Sequence, residues 1–527
     1  MLSVQGGKLR RELRIRDLFF ANMAGIIGSG WLFGAIYAAN IAGPASILAW
    51  LIGGLLMLVL ALVYAELGGM LPKPGALVRY PQFSHGSLVS FILSWSVWIA
   101  YATVAPLEAE ASVQYASYYF PALVHGSSLT PVGLVTAALL VVLFFVLNYF
   151  GVKLMAQING IVTALKIIVP VLTIVVLLFV GMHPANFGHY GGFMPGGTAS
   201  ILSAITVSGI ALSYTGFRQA IDLAGEAKNP ARDVPRAVIA SILVTIVIYT
   251  LLEVVFVGGL TPAALAHGWA NLSLSSPFAD LALALNLGWL ATILFGDAVV
   301  SPSGTGLIAT ASTGRVVMAM VANGYAPSKL GETHPRYKVP TPALWVNLVI
   351  GILFLLPYQG WASLVTIVSS STILSYILGP VSAAVLRRTA ADIKRSYTVP
   401  GMSWIAPLGF VIATLMIFWA GWPLVGQLLI AMAVGLLVYA YYFARGSFPT
   451  AHLRSGAWLV GYLVFIGLIS WVGSFGSGLK VIPYPWDMVV VIIGSLAFFY
   501  AGVHSALPLP ADSPYRKELA TGETPSD

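Results

Sequence analysis

The chain has 527 residues, of which 58% are hydrophobic and only 8% are charged, and its mean hydropathy is +0.89. Soluble domains carry roughly 25% charged residues, so this composition excludes a soluble globular protein and indicates an all-α protein embedded in a lipid bilayer. Cysteine is absent, which excludes disulfides, thiolate metal sites and a cysteine nucleophile. The net charge of +8 does not call for a nucleic-acid partner, because membrane topology accounts for it.

Apolar runs near 20 residues long predict fourteen membrane spans. We place them at 18–40, 44–71, 87–119, 131–149, 157–182, 199–222, 237–259, 280–316, 342–357, 361–386, 404–421, 423–443, 457–475 and 486–504. The third and eighth runs are long enough to predict strongly tilted helices.

The spans divide the chain into four parts. We assign 1–17 to a basic N-terminal segment, 18–390 to a ten-helix core, 391–504 to four further helices and 505–527 to a C-terminal tail. Spans 11 to 14 carry few polar residues, so we assign them to scaffold or to contacts between copies of the chain.

Nearly all lysines and arginines fall in every second loop, beginning with Lys8, Arg10, Arg11, Arg14 and Arg16 before span 1. The opposite loops hold only Lys480. The positive-inside rule therefore predicts a multi-pass protein of the cell membrane with both termini in the cytoplasm. We expect no cleavable signal before span 1, since its apolar run is long enough to span the bilayer.

A glycine-rich stretch interrupts span 1 and consists of Gly25, Ile26, Ile27, Gly28, Ser29 and Gly30. Each glycine destabilises a helix interior by roughly 1 kcal/mol. A broken helix within a bilayer is tolerated only where protein or a polar cavity satisfies its backbone groups, and such groups can hold a small charged molecule. Close packing between helices is the alternative explanation and stays open at this point.

A second interruption falls in span 6, around Ser213, Tyr214, Thr215, Gly216 and Phe217. Spans 1 and 6 are five apart and run in opposite directions. Two broken spans in corresponding positions predict a five-plus-five inverted-repeat transporter with its binding site at the membrane midplane.

Three stretches resemble the amino acid–polyamine–organocation (APC) superfamily of transporters: residues 25–30, 64–75 and 223–237. The turn at 323–327 extends the resemblance to about residue 390, and residues 68–86 most resemble bacterial aspartate–proton symporters. The resemblance implies a ten-helix inverted-repeat core and an amino acid substrate without any cofactor. It also implies that the substrate carboxylate meets amides of the span 1 break, while its ammonium group meets carbonyls of both breaks.

Lys166 lies inside span 5, where a buried ammonium is costly and burial favours the neutral amine. In proton-coupled members of the resembled superfamily a lysine on span 5 replaces a sodium ion, and Lys166 matches that position. It is therefore our candidate for proton coupling, with snorkelling to the interface as the alternative. Oxygens of Ser312 and Thr313 on span 8 keep a sodium site open.

Arg218 follows the span 6 break, where many members of the superfamily have glutamate. A guanidinium suits a carboxylate, so Arg218 is a candidate for selecting acidic side chains, for pairing with a nearby acid, or for snorkelling. Glu108 on span 3 is a candidate proton carrier or partner of Arg218. Glu110 lies two residues further on, so we expect only one of the two to face the core.

The remaining polar candidates carry weaker predictions. We expect Glu66 to be structural, and the direction of Glu253 and Asp297 is open. Aromatic residues that could gate the site, with bilayer-facing packing as the default, are Tyr101, Trp98, Tyr214 and Phe217. No metal site is predicted, since His85, His125 and His189 lack ligand spacing.

These features favour a secondary active transporter that moves amino acids, such as aspartate, together with protons. An amino acid exchanger and a sodium-coupled symporter are alternatives within the class. A channel is disfavoured because no filter sequence repeats, and an enzyme is disfavoured because no catalytic cluster is present. The expected partners are the amino acid, the proton, the lipid bilayer and a second copy of the chain.

Overall fold

A computed structural model of the chain describes residues 12–70, 78–126, 128–150, 152–337, 339–357, 360–393, 395, 397–510, 513 and 516, apart from the side chains of 152–161. Several predicted features therefore lie outside the described residues: the basic segment up to Arg11, residues 71–75 of the second family-like stretch, and most of the tail from 511 onward.

The first seven helices form spans 1 to 5, with a short helix before span 3. They are α1 (Ile15–Ile26), α2 (Gly30–Ala42), α3 (Ser46–Met70), α4 (Tyr80–His85), α5 (Ser87–Ala116), α6 (Pro131–Phe150) and α7 (Val152–Val180). A small antiparallel hairpin between spans 3 and 4 consists of β1 (Val124–His125) and β2 (Ser128–Leu129) and pairs Val124 with Leu129.

The next twelve helices form spans 6 to 14. They are α8 (Gly197–Val207), α9 (Ile210–Ser213), α10 (Arg218–Asp222), α11 (Pro230–Gly259), α12 (Pro277–Ala284), α13 (Gly288–Ala322), α14 (Thr341–Leu355), α15 (Trp361–Thr389), α16 (Met402–Ala420), α17 (Leu424–Ala444), α18 (Thr450–Val472) and α19 (Trp486–His504).

The prediction of an all-α polytopic membrane protein is confirmed. Within the described residues, eleven helices are long and apolar enough to cross a membrane, or twelve if the bent pair in span 6 is one span. That count treats Gly30–Met70 as one stretch of 41 residues, although the 3-10 turn Gly43–Ala45 divides it into the second half of span 1 and span 2. Span 9, Thr341–Leu355, has only 15 residues and is the shortest.

The eighth predicted span is wrong in its extent. We expected one strongly tilted helix over 280–316, but the structure has the short helix α12, a turn, and then α13. Asn286 lies in the turn with a φ of 60°, a backbone conformation that asparagine adopts more readily than most residues. The apolar run continues across this turn, which is why hydropathy alone merged the two helices.

Both predicted helix breaks are present. In span 1, α1 ends at Ile26 and Ile27 is extended, with φ −85° and ψ 94°. Span 6 bends by 50° between α8 and the following segment. This second break begins earlier than predicted, at Gly209, whose φ of 88° ends α8 before the expected stretch is reached. A 3-10 turn at Thr215–Phe217 then completes the interruption.

Spans whose numbers differ by five are close neighbours in the core. Span 2 packs along span 7, and span 3 packs along span 8. The first half of span 1 packs against span 7 and against the interrupted part of span 6. This arrangement is the one expected of a five-plus-five repeat, and it brings the two broken spans into contact.

Candidate functional site

The two helix breaks touch each other directly. A Cβ atom on Gly216 would overlap the backbone of Gly25 and Ile26, and one on Gly30 would overlap the hydroxyl of Ser213. Glycine at these positions therefore permits a backbone-to-backbone approach that any side chain would prevent. The close-packing explanation and the binding explanation of the glycines are thus compatible.

A cavity that is partly open to solvent lies beside this contact, with about 660 Å³ of empty space when the open part is included. The predicted site residues that line it are Gly25, Ile26, Gly28, Ser29, Gly30, Glu108, Ser213, Thr215, Gly216 and Arg218. Three predicted residues of the breaks face packed protein instead. Ile27 is fully buried, Tyr214 donates from its hydroxyl to Trp50 O (3.0 Å), and Phe217 stacks on Tyr376 with ring centroids 5.4 Å apart.

Side chains from five other spans bind the polar groups of the span 1 break. The pairs are Lys166 Nζ to Ala24 O (2.8 Å), Tyr249 Oη to Ile26 O (3.0 Å), Thr305 Oγ1 to Ile27 O (3.4 Å), Ser29 N to Glu108 Oε2 (2.9 Å) and Trp361 Nε1 to Ser29 Oγ (2.8 Å). The first amides of α2 have no carbonyl one turn earlier to bond, so the helix N-terminus presents donors and a partial positive charge to the cavity.

Glu108 and Glu110 are both buried, at 4% and 0% exposure. The expectation that only one would face the core is wrong, because span 3 is surrounded by protein on several sides. Glu108 points to the span 1 break, whereas Glu110 accepts from the backbone N–H of Gly360 at 3.3 Å. Residues two apart do point in different directions, but here both directions lead into protein.

Lys166 is fully buried and its amino group lies between span 1 and span 8. Besides Ala24 O, it donates to Thr305 Oγ1 at 2.6 Å. These contacts contradict snorkelling to the interface. Glu108 and Asp297 lie within electrostatic range of the same amino group.

Arg218 is also buried, at 4% exposure, and lies at the edge of the cavity. Its guanidinium carbon is 4.6 Å from the ring centroid of Tyr101 and 5.1 Å from that of Tyr376. One long hydrogen bond joins Nη1 to Ser375 Oγ at 3.4 Å, and Nε has no partner among the described residues. The expected pairing with Glu108 is not present in the described structure, since that carboxylate binds Ser29 instead.

The other three acidic candidates, Glu66, Glu253 and Asp297, are all buried. Glu66 accepts two bonds from Arg387 at 2.7 and 2.6 Å, which fits the structural role expected of it. Glu253 is fully buried and accepts from Trp50 Nε1 at 2.9 Å. Asp297 is 5% exposed and faces inward.

The candidate gating aromatics Tyr101 and Trp98 lie in different places, and His85, which was not predicted to bind metal, packs inside the protein. Tyr101 lines the cavity, whereas Trp98 donates to Asn347 Oδ1 on span 9. His85 is buried between Ser84 and the carbonyl of Gly502. No group of three or more His, Cys, Asp or Glu that could hold a metal occurs in the part of the chain that the structure describes.

Sequence reasoning missed several residues of the site. Thr305, Gln219 and Thr372 line the cavity, and Trp361 covers the break by stacking on Phe33 at 5.1 Å. A run of small and polar residues in the middle of span 8 could have pointed to Thr305. Nothing in the sequence around Gln219 or Trp361 distinguishes them from packing residues.

Comparison with known proteins fits this geometry. A family model described as amino acid permease matches residues 13–439. The chain is 46% identical over 503 residues to a glutamate/serine transporter of Bacillus subtilis, which covers 93% of both chains. It is 38% identical over 513 residues to the aspartate-proton symporter of the same organism, covering 96% of this chain and 98% of the relative. The human cationic amino acid transporter 4 is 28% identical over 395 residues, covering 72% of this chain and 60% of the relative. The chain therefore belongs to the amino acid permease family of the APC superfamily.

Proposed function

We propose that this amino acid permease carries acidic amino acids together with protons across the cell membrane, with both termini in the cytoplasm. The main support for this proposal is the lining of one cavity. Amides at the N-terminus of α2 face it, and so does the guanidinium of Arg218, which has few protein partners. Residues 18–390 form the transport core in this proposal. The two Bacillus relatives, named for glutamate, serine and aspartate transport, support it.

The substrate carboxylate binds at the Ser29 and Gly30 amides, because a helix N-terminus attracts anions. Its ammonium group binds carbonyls of the two breaks, and its side-chain carboxylate binds Arg218. The Ser29 amide already donates to a carboxylate oxygen of Glu108 at 2.9 Å, so this N–H has the geometry to bind a carboxylate. The incoming substrate competes with Glu108 for that donor.

Lys166 carries the coupled proton. A neutral amine keeps two N–H donors, which are as many as the two hydrogen bonds to Ala24 O and Thr305 Oγ1 require. The third proton of the ammonium form can therefore leave without the loss of either bond. Because Ala24 lies near the end of α1, the charge on Lys166 acts directly on the position of the broken helix.

Uptake by the purified protein in sodium-free liposomes tests this function. We expect an inward proton gradient to drive accumulation of radiolabelled aspartate or glutamate, and we expect Lys166→Met to abolish accumulation while leaving exchange of internal for external substrate. Accumulation that requires a sodium gradient would favour the sodium-coupled alternative. Exchange without any accumulation in the wild-type protein would favour an exchanger.

A further inference from the structure

Three polar residues lie on one face of α13 at a spacing of four: Asp297, Ser301 and Thr305. All three are buried, with exposures of 5%, 0% and 8%. A spacing of four places side chains above one another along a helix, separated by about 6 Å of rise. The line runs from the half of span 8 nearer its beginning to the amino group of Lys166.

Polar atoms at the Asp297 end of this line lack hydrogen-bond partners among the described residues. Neither carboxylate oxygen of Asp297 has a hydrogen-bond partner among the described residues, and the same is true of Ser301 Oγ. Thr305 Oγ1, in contrast, accepts from Lys166 Nζ at 2.6 Å. A buried carboxylate without a donor costs several kcal/mol unless it binds water, takes up a proton or faces a cation.

The charged and titratable groups around Asp297 come from three neighbouring elements. Lys166 on α7 and Tyr115 on α5 lie within electrostatic range of Asp297. Asp280 on α12 lies within range of the same tyrosine. Glu108 on α5 is directed to Ser29. Lys166 is therefore the cation that faces Asp297 among the described residues. Ser301 and Thr305 follow Asp297 along α13, and Thr305 Oγ1 is the hydroxyl that contacts Lys166 Nζ.

We propose that Asp297 is a proton-binding residue that loads Lys166 from the side of the membrane opposite the chain termini, through Ser301, Thr305 and bridging water. This inference rests on the proposed proton coupling. In the transfer step a neutral aspartic acid loses its O–H proton and the neutral amine of Lys166 gains an N–H bond, which gives a carboxylate and an ammonium ion. Each hydroxyl accepts one proton and releases another, so it ends unchanged; for the last transfer the amine turns its lone pair to Thr305, whose O–H then donates in place of the Lys166 N–H.

The direction follows from the topology. Span 8 begins on the side opposite the termini, and Asp297 is nine residues into α13, whereas Thr305 is about 12 Å deeper. The side chains of Asp297 and Ser301 have no hydrogen-bond partner among the described residues, so one water molecule between Asp297 and Ser301 and another between Ser301 and Thr305 complete the path, whereas Thr305 Oγ1 contacts Lys166 Nζ directly. The proton thus reaches Lys166 from a different direction than the substrate reaches the helix breaks.

Proteoliposome assays on Asp297→Asn test this role. We expect the initial rate of proton-driven uptake to fall on the order of tenfold to a hundredfold, since positioned proton-transfer groups contribute at least that much. Counterflow exchange, which needs no net proton movement, should stay within about twofold, and Asp297→Glu should recover part of the driven rate. The matched control is Asp280→Asn, which removes a nearby carboxylate that lies off the line.

Three results would overturn the proposal. Asp297→Asn could keep the wild-type driven rate, which would place proton entry elsewhere. It could instead lower driven uptake, counterflow and substrate-induced thermal stabilisation equally, which is the pattern of a structural residue. If the wild-type protein accumulates no substrate under a proton gradient, the proposed function fails first, and that failure is visible without any variant.

Discussion

Arg218 offers the sharpest test of substrate selection. We expect Arg218→Met to weaken binding of aspartate and glutamate and to leave binding of serine nearly unchanged. Methionine keeps an unbranched side chain of similar reach between Tyr101 and Tyr376, so the aromatic packing persists while the charge and all donors disappear. The variant thus removes the proposed contact to the side-chain carboxylate and little else.

The size of the effect follows from the present contacts of Arg218. Its guanidinium has one long hydrogen bond of 3.4 Å to Ser375, so most of its donors are available for a ligand. A charge-assisted contact to a carboxylate contributes about 1.5–3 kcal/mol, which corresponds to a loss of about ten- to a hundredfold in affinity. Arg218→Lys keeps the charge but not the planar fork, so we expect an intermediate loss.

The assay is direct binding to the purified protein, with aspartate, glutamate and serine compared on each variant. The competing role of Arg218 is to neutralise Asp222, which lies within electrostatic range. In that case Arg218→Met should weaken all three ligands alike, and a second change, Asp222→Asn, should restore them. An equal loss for serine and aspartate would refute our assignment.

Two further predictions concern the break and the scaffold. In Gly28→Ala the new Cβ would lie 2.6 Å from Glu108 Oε1, so we expect substrate binding at least about tenfold weaker. Gly296→Ala is the control, because its Cβ would meet nothing within 4 Å, and it should bind substrate normally in the same assay. Glu66→Gln leaves Arg387, which is 33% exposed, without its carboxylate, so we expect a loss of about 1–2 kcal/mol in stability, measured as a lower unfolding midpoint in detergent with unchanged substrate affinity.

The spans and both broken helices could be predicted because hydropathy and glycine act locally. A run of about 20 apolar residues is long enough to cross the bilayer, and three glycines in six residues weaken any helix. The same local signals failed where a single residue ends a helix without a change of hydropathy. Asn286 and Gly209 both do this, with φ values of 60° and 88°. Neither position stands out in a sequence of this composition.

The contacts of the site were beyond sequence reasoning because they join residues far apart in the chain. Glu108 and Arg218 were plausible partners as two buried opposite charges, yet the Ser29 amide is the partner of Glu108. The helix break itself creates this donor, and its direction depends on how α2 begins. Which side chain reaches a broken helix is decided by packing, and a pattern of charges along the chain does not contain that information.

The span 1 break is held by contacts of two kinds, and this division bears on how the transporter moves. Tyr249 comes from span 7, which packs with span 1, so its bond to the break can persist when these helices move together. Glu108, Lys166 and Trp361 come from spans 3, 5 and 10 and would have to release the break if spans 1 and 7 move together relative to those three spans. Two of these three carry charges that a substrate or a proton can alter. In the proposed function the substrate carboxylate competes with Glu108 and the coupled proton changes the charge of Lys166, so each transported species would act on a bond that the movement must break.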